Sequence, residues 1–203
     1  MTSLASKNAT EVAALFRKEA TFVAGADKSA RLPKFDLPEF AFIGKSNVGK
    51  SSIINAICNR KGLARVSHTP GRTQQINFFK VGDAFILVDL PGYGFAKVAD
   101  KIRKSWQDLI LQYLSKSANL TVVNLLIDAR RGIMDHDKSV IQLLQEMGRD
   151  FQIVFTKSDK ISDRVSLMEA SNAILTKPVN FIFTSTRSKD GIQESQFSLA
   201  KNL

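Results

Sequence analysis

Residues 39–58 read Glu39-Phe40-Ala41-Phe42-Ile43-Gly44-Lys45-Ser46-Asn47-Val48-Gly49-Lys50-Ser51-Ser52-Ile53-Ile54-Asn55-Ala56-Ile57-Cys58. The apolar run Glu39 to Ile43 has the composition of a buried strand, and the spacing from Lys50 to Cys58 is helical. Between them lies G-x-x-x-x-G-K-S, from Gly44 to Ser51, in the strand-to-helix context that a phosphate-binding loop requires. Each residue type answers a physical need. The glycines let backbone N–H groups wrap a phosphate, and the helix N-terminus adds the positive end of its dipole. Lys50 neutralises β- and γ-phosphate oxygens, and Ser51 offers a hydroxyl to Mg²⁺. Gly44, Lys45, Ser46, Asn47, Val48, Gly49, Lys50, Ser51 and Ser52 are therefore candidate nucleotide-binding residues.

Outward from this stretch, further short β-rich runs lie at Ile76 to Val81, Ala84 to Asp89, Leu120 to Asp128, Phe151 to Thr156 and Asn180 to Thr184. Helical spacing recurs at Asp100 to Ser117, His136 to Met147, Asp163 to Leu175 and Gly191 to Ala200. The alternation predicts a three-layer α/β fold: a mostly parallel six-stranded sheet, one strand antiparallel, helices on both faces. The antiparallel strand follows from Gly82-Asp83, which leaves no room for a crossover helix and reads as a tight hairpin. Residues 1–37 read as an N-terminal helix and a polar connection, and residues 38–203 as one domain.

The chain has 203 residues, 44% hydrophobic and 24% charged, enough to bury a core in a single domain and unlike a collagen, a disulfide scaffold or a disordered tail. No apolar run approaches the roughly 20 residues of a membrane span. Glu11 and Glu19 interrupt the place where a signal peptide needs an apolar stretch, so a cytoplasmic protein with no membrane partner is expected. The single cysteine, Cys58, fits a reducing compartment. The net charge of +10 points toward phosphate-rich polymers or anionic lipid. Much of the excess sits between Glu39 and Asp83, which holds Lys45, Lys50, Arg60, Lys61, Arg65, Arg72 and Lys80 and no acidic residue. Such a run is either a solvated face or a polyanion-binding surface.

Two further motifs stand at strand ends. Asp89-Leu90-Pro91-Gly92 closes the run Ala84 to Val88, where an aspartate reaches Mg²⁺ and a glycine N–H meets a γ-phosphate. Asp89, Pro91 and Gly92 join the candidates. Thr156-Lys157-Ser158-Asp159 follows the run Phe151 to Phe155 and matches [NT]-K-x-D. A carboxylate there accepts from both N1–H and the N2 amino group of guanine, a donor pair that adenine lacks, so Asp159 selects guanine. Thr184-Ser185-Thr186 occupies the place of a backbone N–H that reads guanine O6. GTP and GDP are the expected ligands.

The run His68-Thr69-Pro70-Gly71-Arg72-Thr73-Gln74, then Asn77, Asp89-Leu90-Pro91-Gly92-Tyr93-Gly94-Phe95-Ala96, Trp106 and Ile127-Asp128-Ala129-Arg130-Arg131, closely resembles the EngB (YihA/YsxC) family of bacterial ribosome-biogenesis GTPases. The resemblance covers roughly Pro38 to Gly191, and its most specific piece is TPGRTQ followed by DLPGYGFA. It implies a GTPase that serves assembly of the large ribosomal subunit, with rRNA and ribosomal proteins as partners and an effect on growth and cell division. It also implies that Thr73, preceded by Gly71 and Arg72, is the switch I threonine that joins Mg²⁺ beside Ser51 and Asp89 only when GTP is bound. Lys50, Thr73, Gly92 and Asn47 are the expected catalytic positions, in a monomer.

Tyr93 stands where Ras-like enzymes carry a water-orienting glutamine, and it has no amide to hold water, so slow intrinsic hydrolysis is expected. In related GTPases the residue matching Asn47 helps to hold K⁺ beside the phosphates; its other role is a local turn hydrogen bond. Asp135-His136-Asp137 has metal-ligand chemistry but begins a helix, where acidic residues cap N–H groups. Trp106 either packs on the sheet or stacks on a base. Three functions fit these residues: a GTP-gated ribosome or RNA binder, a GTPase switch for a non-ribosomal protein partner, and a P-loop kinase, which gains nothing from TKSD.

Overall fold

The computed structural model describes residues 8–28, 31–65, 75–93 and 100–203, and within residues 100–106 only the backbone. Seven strands form one sheet in the order β1-β3-β4-β2-β5-β6-β7. They are β1 (Ala20–Ala26), β2 (Glu39–Gly44), β3 (Ile76–Val81), β4 (Phe85–Asp89), β5 (Leu120–Asp128), β6 (Phe151–Thr156) and β7 (Phe181–Thr184). The β2–β4, β2–β5, β5–β6 and β6–β7 pairs are parallel, and β3 runs antiparallel to both β1 and β4. The expected α/β architecture with a single reversed strand is thus present.

The strand count corrects the expectation of six. Residues 20–26, read as part of a connection, form the edge strand β1. Only Ala20 and Ala26 are buried in it, while Phe22 and Val23 are 54% and 41% exposed, so no apolar alternation marks it as a strand. Its register with β3 also slips between Phe22 and Ala24. Before it, α1 (Ala9–Arg17) is opened by a reciprocal cap: Glu11 N–H donates to Asn8 Oδ1 at 3.0 Å and Asn8 N–H to Glu11 Oε2 at 2.8 Å. Val12 and Phe16, four residues apart, bury one face of this helix, and Phe16 meets Phe85 at 5.5 Å between ring centroids.

Strand β2 supplies both faces of the sheet by alternation. Phe40 and Phe42 join the layer built with α1, α2 (Lys50–Ile57) and α6 (Ile192–Lys201). Ala41 and Ile43 face the layer of α3 (Asp100–Lys116) and α4 (Asp135–Glu146), against which α5 (Arg164–Asn172) rests through Leu167. A buried polar chain crosses the sheet: Gln152 Nε2 donates to Asn124 Oδ1 at 2.6 Å, Asn180 Nδ2 and Ser198 Oγ donate to Gln152 Oε1, and Asn124 Nδ2 donates to Ala41 O. Each buried amide in this chain is paired, which pins the parallel register. The carboxyl ends of β2, β4, β5, β6 and β7 therefore lie along one edge, bringing Gly44, Asp89, Asp128, Thr156 and Thr184 to the same side of the molecule.

Candidate functional site

The last residue of β2 leaves no room for a side chain: a Cβ on Gly44 would lie 2.8 Å from Leu126 O. Asn47 adopts φ +62°, a left-handed conformation that asparagine tolerates. The loop then enters α2, whose first residue, Lys50, directs its ammonium onto the Asp89 carboxylate. Both side chains are buried, at 10% and 4% exposure, so this is an internal ion pair that fixes two candidate residues together.

Asp89 ends β4, and the chain that follows lies directly on the loop. A Cβ on Gly92 would come within 3.2 Å of Gly44 O and Ser46 N, so glycine permits an approach that a side chain would push apart. Tyr93 N–H donates to Gly44 O at 3.2 Å, and Ser46 N–H donates to Tyr93 O at 3.2 Å. The Tyr93 hydroxyl donates to Asp137 Oδ1 at 2.5 Å, while Asp137 Oδ2 accepts from Met134 N–H at 2.8 Å and so caps α4. Asp137 thus serves as a cap, and among the described residues no three His, Cys, Asp or Glu side chains gather as a metal site by themselves.

On the other side of the loop, Thr156 Oγ1 donates to Val48 O at 2.7 Å. Lys157, at φ +58°, sends its ammonium to Asn47 O at 3.1 Å and to Asp128 Oδ2 at 2.8 Å. Arg130 adds Nε and Nη2 contacts to the Asp128 oxygens at 2.9 and 2.6 Å. Burial opposes the Asp128 charge, but the hydrogen bonds from Arg130 and Lys157 outweigh it and hold the carboxyl well below the ordinary carboxylate range. A cavity of about 260 Å³ opens here, lined by Lys45, Asn47, Asp128, Arg131, Asp137 and Lys157 among others.

Asp159 lies exposed in the short 3₁₀ turn Ser158–Lys160, and a hydrogen bond from Ser185 lowers its carboxyl pKa. Ser185 Oγ also accepts from the Arg187 and Ser188 N–H groups, each at 3.2 Å. Of the Thr184-Ser185-Thr186 stretch, expected to offer a backbone N–H to a base, the Ser185 N–H donates to Asp190 O at 3.0 Å. Thr184 is buried with its hydroxyl on Phe155 O, and Thr186 is exposed.

The structure therefore brings together the loop from Gly44 to Ser52, Asp89, Pro91, Gly92, Thr156, Lys157, Asp159 and Ser185. Gly71, Arg72, Thr73 and His68 lie outside the described residues, as does the side chain of Trp106. Sequence reasoning does not single out Asp128, Arg130 or Asp137 as site residues. Asp128 has a usable signal, since it ends a parallel strand as Asp89 and Thr156 do. Cys58 caps α2, and burial pushes its thiol up to about 12, as befits a structural side chain.

The donor set fits Mg²⁺: a serine hydroxyl in the first turn of α2 and a buried carboxylate at the neighbouring strand end supply the hard oxygens that cation takes. The family model described as "50S ribosome-binding GTPase" matches residues 39–157, more than half of the chain. A probable GTP-binding protein EngB from Rickettsia bellii is 59% identical over 190 residues, 92% of this chain and 90% of that protein. Its counterpart from Rickettsia prowazekii is 54% identical over 202 residues, 98% and 94% of the two chains. The chain belongs to the EngB family of GTPases. The crystal structure of a probable EngB protein shares the fold at TM-score 0.69 and 23% identity, covering 81% of this chain and 98% of that one. An Aquifex aeolicus Era structure bound to GDP and aluminium fluoride shares it at TM-score 0.66 and 23% identity, over 83% of this chain and 57% of that one. Among the described residues, no helix is long and apolar enough to cross a membrane.

Proposed function

We propose that this EngB-family GTPase is a slow hydrolase whose nucleotide state gates its binding to the large ribosomal subunit or its precursor during assembly. The observation that carries this reading is the placement of Arg60, Lys61 and Arg65. All three are exposed just after α2, the helix that the phosphate loop opens, and none is ion-paired with a described residue. Exposed cations clustered beside a nucleotide site are suited to RNA phosphates. The family model's own description, a GTPase that binds the 50S ribosome, supports the same partner.

In this reading Asp159 and Lys157 hold guanine, Ser185 closes over it, and the Gly44 to Ser52 loop wraps the phosphates. Water attacks the γ-phosphorus in line; the bond from that phosphorus to the β–γ bridging oxygen breaks, giving GDP and phosphate. Lys50 exchanges its partner Asp89 for phosphate oxygens, and the Gly92 N–H meets the γ-phosphate. Ser51, Asp89 and Thr73 would hold Mg²⁺, which when bound neutralises charge on the β- and γ-phosphates. Asn47 is the candidate for K⁺. Tyr93 offers no amide to a water molecule, so turnover alone is expected at about 10⁻² s⁻¹ or below. Residues 38–203 carry the nucleotide contacts, with β1 adding an edge strand to the sheet and α1 covering one of its faces. A cytoplasmic monomer, acting on growth and cell division through ribosome supply, completes the proposal.

Co-sedimentation with large-subunit particles tests it: retention should be stronger with a non-hydrolysable GTP analogue than with GDP. Equal, weak retention in both would move the output to a non-ribosomal protein partner.

A further inference from the structure

We propose that Tyr93 is a positioning residue for γ-phosphate recognition: its hydrogen bond to Asp137 pins the Gly92 peptide against the phosphate loop so that the GTP state, and not the GDP state, depends on it. The inference rests on the proposed role of Gly92 in meeting a γ-phosphate.

Tyr93 is held from three directions. Its N–H donates to Gly44 O and its carbonyl accepts from Ser46 N–H, both at 3.2 Å, which joins it to the loop by backbone alone. Its hydroxyl donates to Asp137 Oδ1 at 2.5 Å across 44 residues of sequence. Asp137 is only 4% exposed, and its other oxygen accepts Met134 N–H, so the acceptor is anchored in the first turn of α4 and does not follow the phenol. Burial first, and then the Asp137 charge, raise the phenol far above its ordinary range, so the group remains a donor. Gly92 sits closely between these anchors: a Cβ there would be 3.2 Å from two loop atoms, tighter than an ordinary contact. The Gly92 N–H lies on the peptide just before the pinned one, so a shift of the residue 93 peptide reaches it through the Gly92 backbone, which close contact with Gly44 O and Ser46 N confines.

The same geometry directs the side chain at position 93 toward α4. A residue fixed there sets the position of a phosphate donor and does not itself orient the attacking water. GDP lacks the phosphate that Gly92 would meet, so its affinity is independent of the pin.

Affinities for GDP and for a non-hydrolysable GTP analogue should be measured for wild type, Tyr93→Phe, Asp137→Ala and Asp137→Asn. Tyr93→Phe is expected to lose about tenfold in analogue affinity, the size of one hydrogen bond to a charged group, with GDP affinity within about twofold of wild type. Asp137→Ala should match that loss, and adding Tyr93→Phe to it should cost little more. Asp137→Asn, which still offers the phenol an oxygen, should retain more discrimination than Asp137→Ala. Equal losses for both nucleotides, or an unchanged affinity ratio in Tyr93→Phe, would overturn the inference. A wild-type protein that does not use Gly92 for the γ-phosphate fails differently: Gly92→Ala would then leave the affinity ratio unchanged.

Discussion

On the base side of the candidate site, side chains grip the phosphate loop through its backbone: Thr156 holds Val48 O and Lys157 holds Asn47 O. On the phosphate side, Lys50 holds the Asp89 side chain and Tyr93 holds the Asp137 side chain. A carbonyl in a loop has few alternative partners, whereas an ammonium on a carboxylate exchanges readily for a phosphate. On the proposed reading, the base wall is arranged in advance to receive guanine, with Lys157 held by both a loop carbonyl and Asp128, and the phosphate wall sets one exchangeable ion pair, Lys50 to Asp89, beside the fixed Tyr93 anchor. One wall fixes which nucleotide binds, and the other is able to report how many phosphates it carries.

The most damaging way to break this contrast is Lys50→Ala. It leaves Asp89 buried without its partner, a cost of about 3–5 kcal/mol to the fold when one member of a buried pair is removed. On the proposed reading it also deprives GTP and GDP alike of their nearest cation. Thermal melts and titration with a fluorescent GDP should both register the change. Wild-type GDP affinity in this variant would place the Lys50 and Asp89 pair away from the phosphates.

Asp159→Asn tests the base wall and comes next. It removes one acceptor of a paired contact, which should cost about 2–4 kcal/mol in GTP affinity, equally for GDP, and confer binding of xanthine nucleotides. A loss confined to GTP would contradict a base wall that is insensitive to phosphate number.

The base wall also makes a prediction for pH. Asp128, which anchors Lys157, has its carboxyl lowered in the fold, so its contribution is present above the ordinary carboxylate pKa of about 4 and disappears as pH falls through and below it. Asp128→Asn should cost about 1–2 kcal/mol at pH 7 and progressively less toward pH 3. Glu39 has the opposite sign: burial raises its carboxyl, against hydrogen bonds from Tyr113 and Ser117, so its stabilising effect is present at low pH and lost as pH rises. Denaturant midpoints at the two pH values separate these cases. An Asp128→Asn variant with the wild-type acid profile would remove Asp128 from the support of Lys157.

The contrast between the walls is only half legible in the sequence. Motifs read well where one local segment holds both the strand and the chemistry, as in Gly44 to Ser51, Asp89 to Gly92 and Thr156 to Asp159. Strands buried on both faces, such as β2 and β5, are equally plain because nearly every residue is apolar or paired. What escapes depends on distance along the chain. Asp137 meets Tyr93 across 44 residues and Lys157 meets Asp128 across 29, and no local pattern joins such partners. Edge strand β1 escapes for a different reason, since solvent relaxes the demand for apolar residues that makes a strand recognisable.

Asn47 is the junction of the two walls, and there the smallest effect is expected. Its carbonyl accepts from Lys157, and any residue supplies a carbonyl. Its φ of +62° is a backbone demand that glycine meets freely and alanine meets at a cost of about 1–2 kcal/mol. Its side chain is exposed beside the loop, free to hold a turn or a monovalent cation. Two substitutions separate these contributions: Asn47→Gly keeps the backbone and deletes the side chain, and Asn47→Ala disturbs both. If the side chain holds K⁺, wild type should hydrolyse GTP faster in K⁺ than in Na⁺, and Asn47→Gly should lose that difference while binding GDP as before. If the side chain serves only the turn, rates in the two salts should agree in wild type, and Asn47→Ala alone should weaken the loop. Hydrolysis rates in the two salts, set against GDP affinity for the three proteins, decide between an ion ligand and a backbone hinge at the residue where the two walls meet.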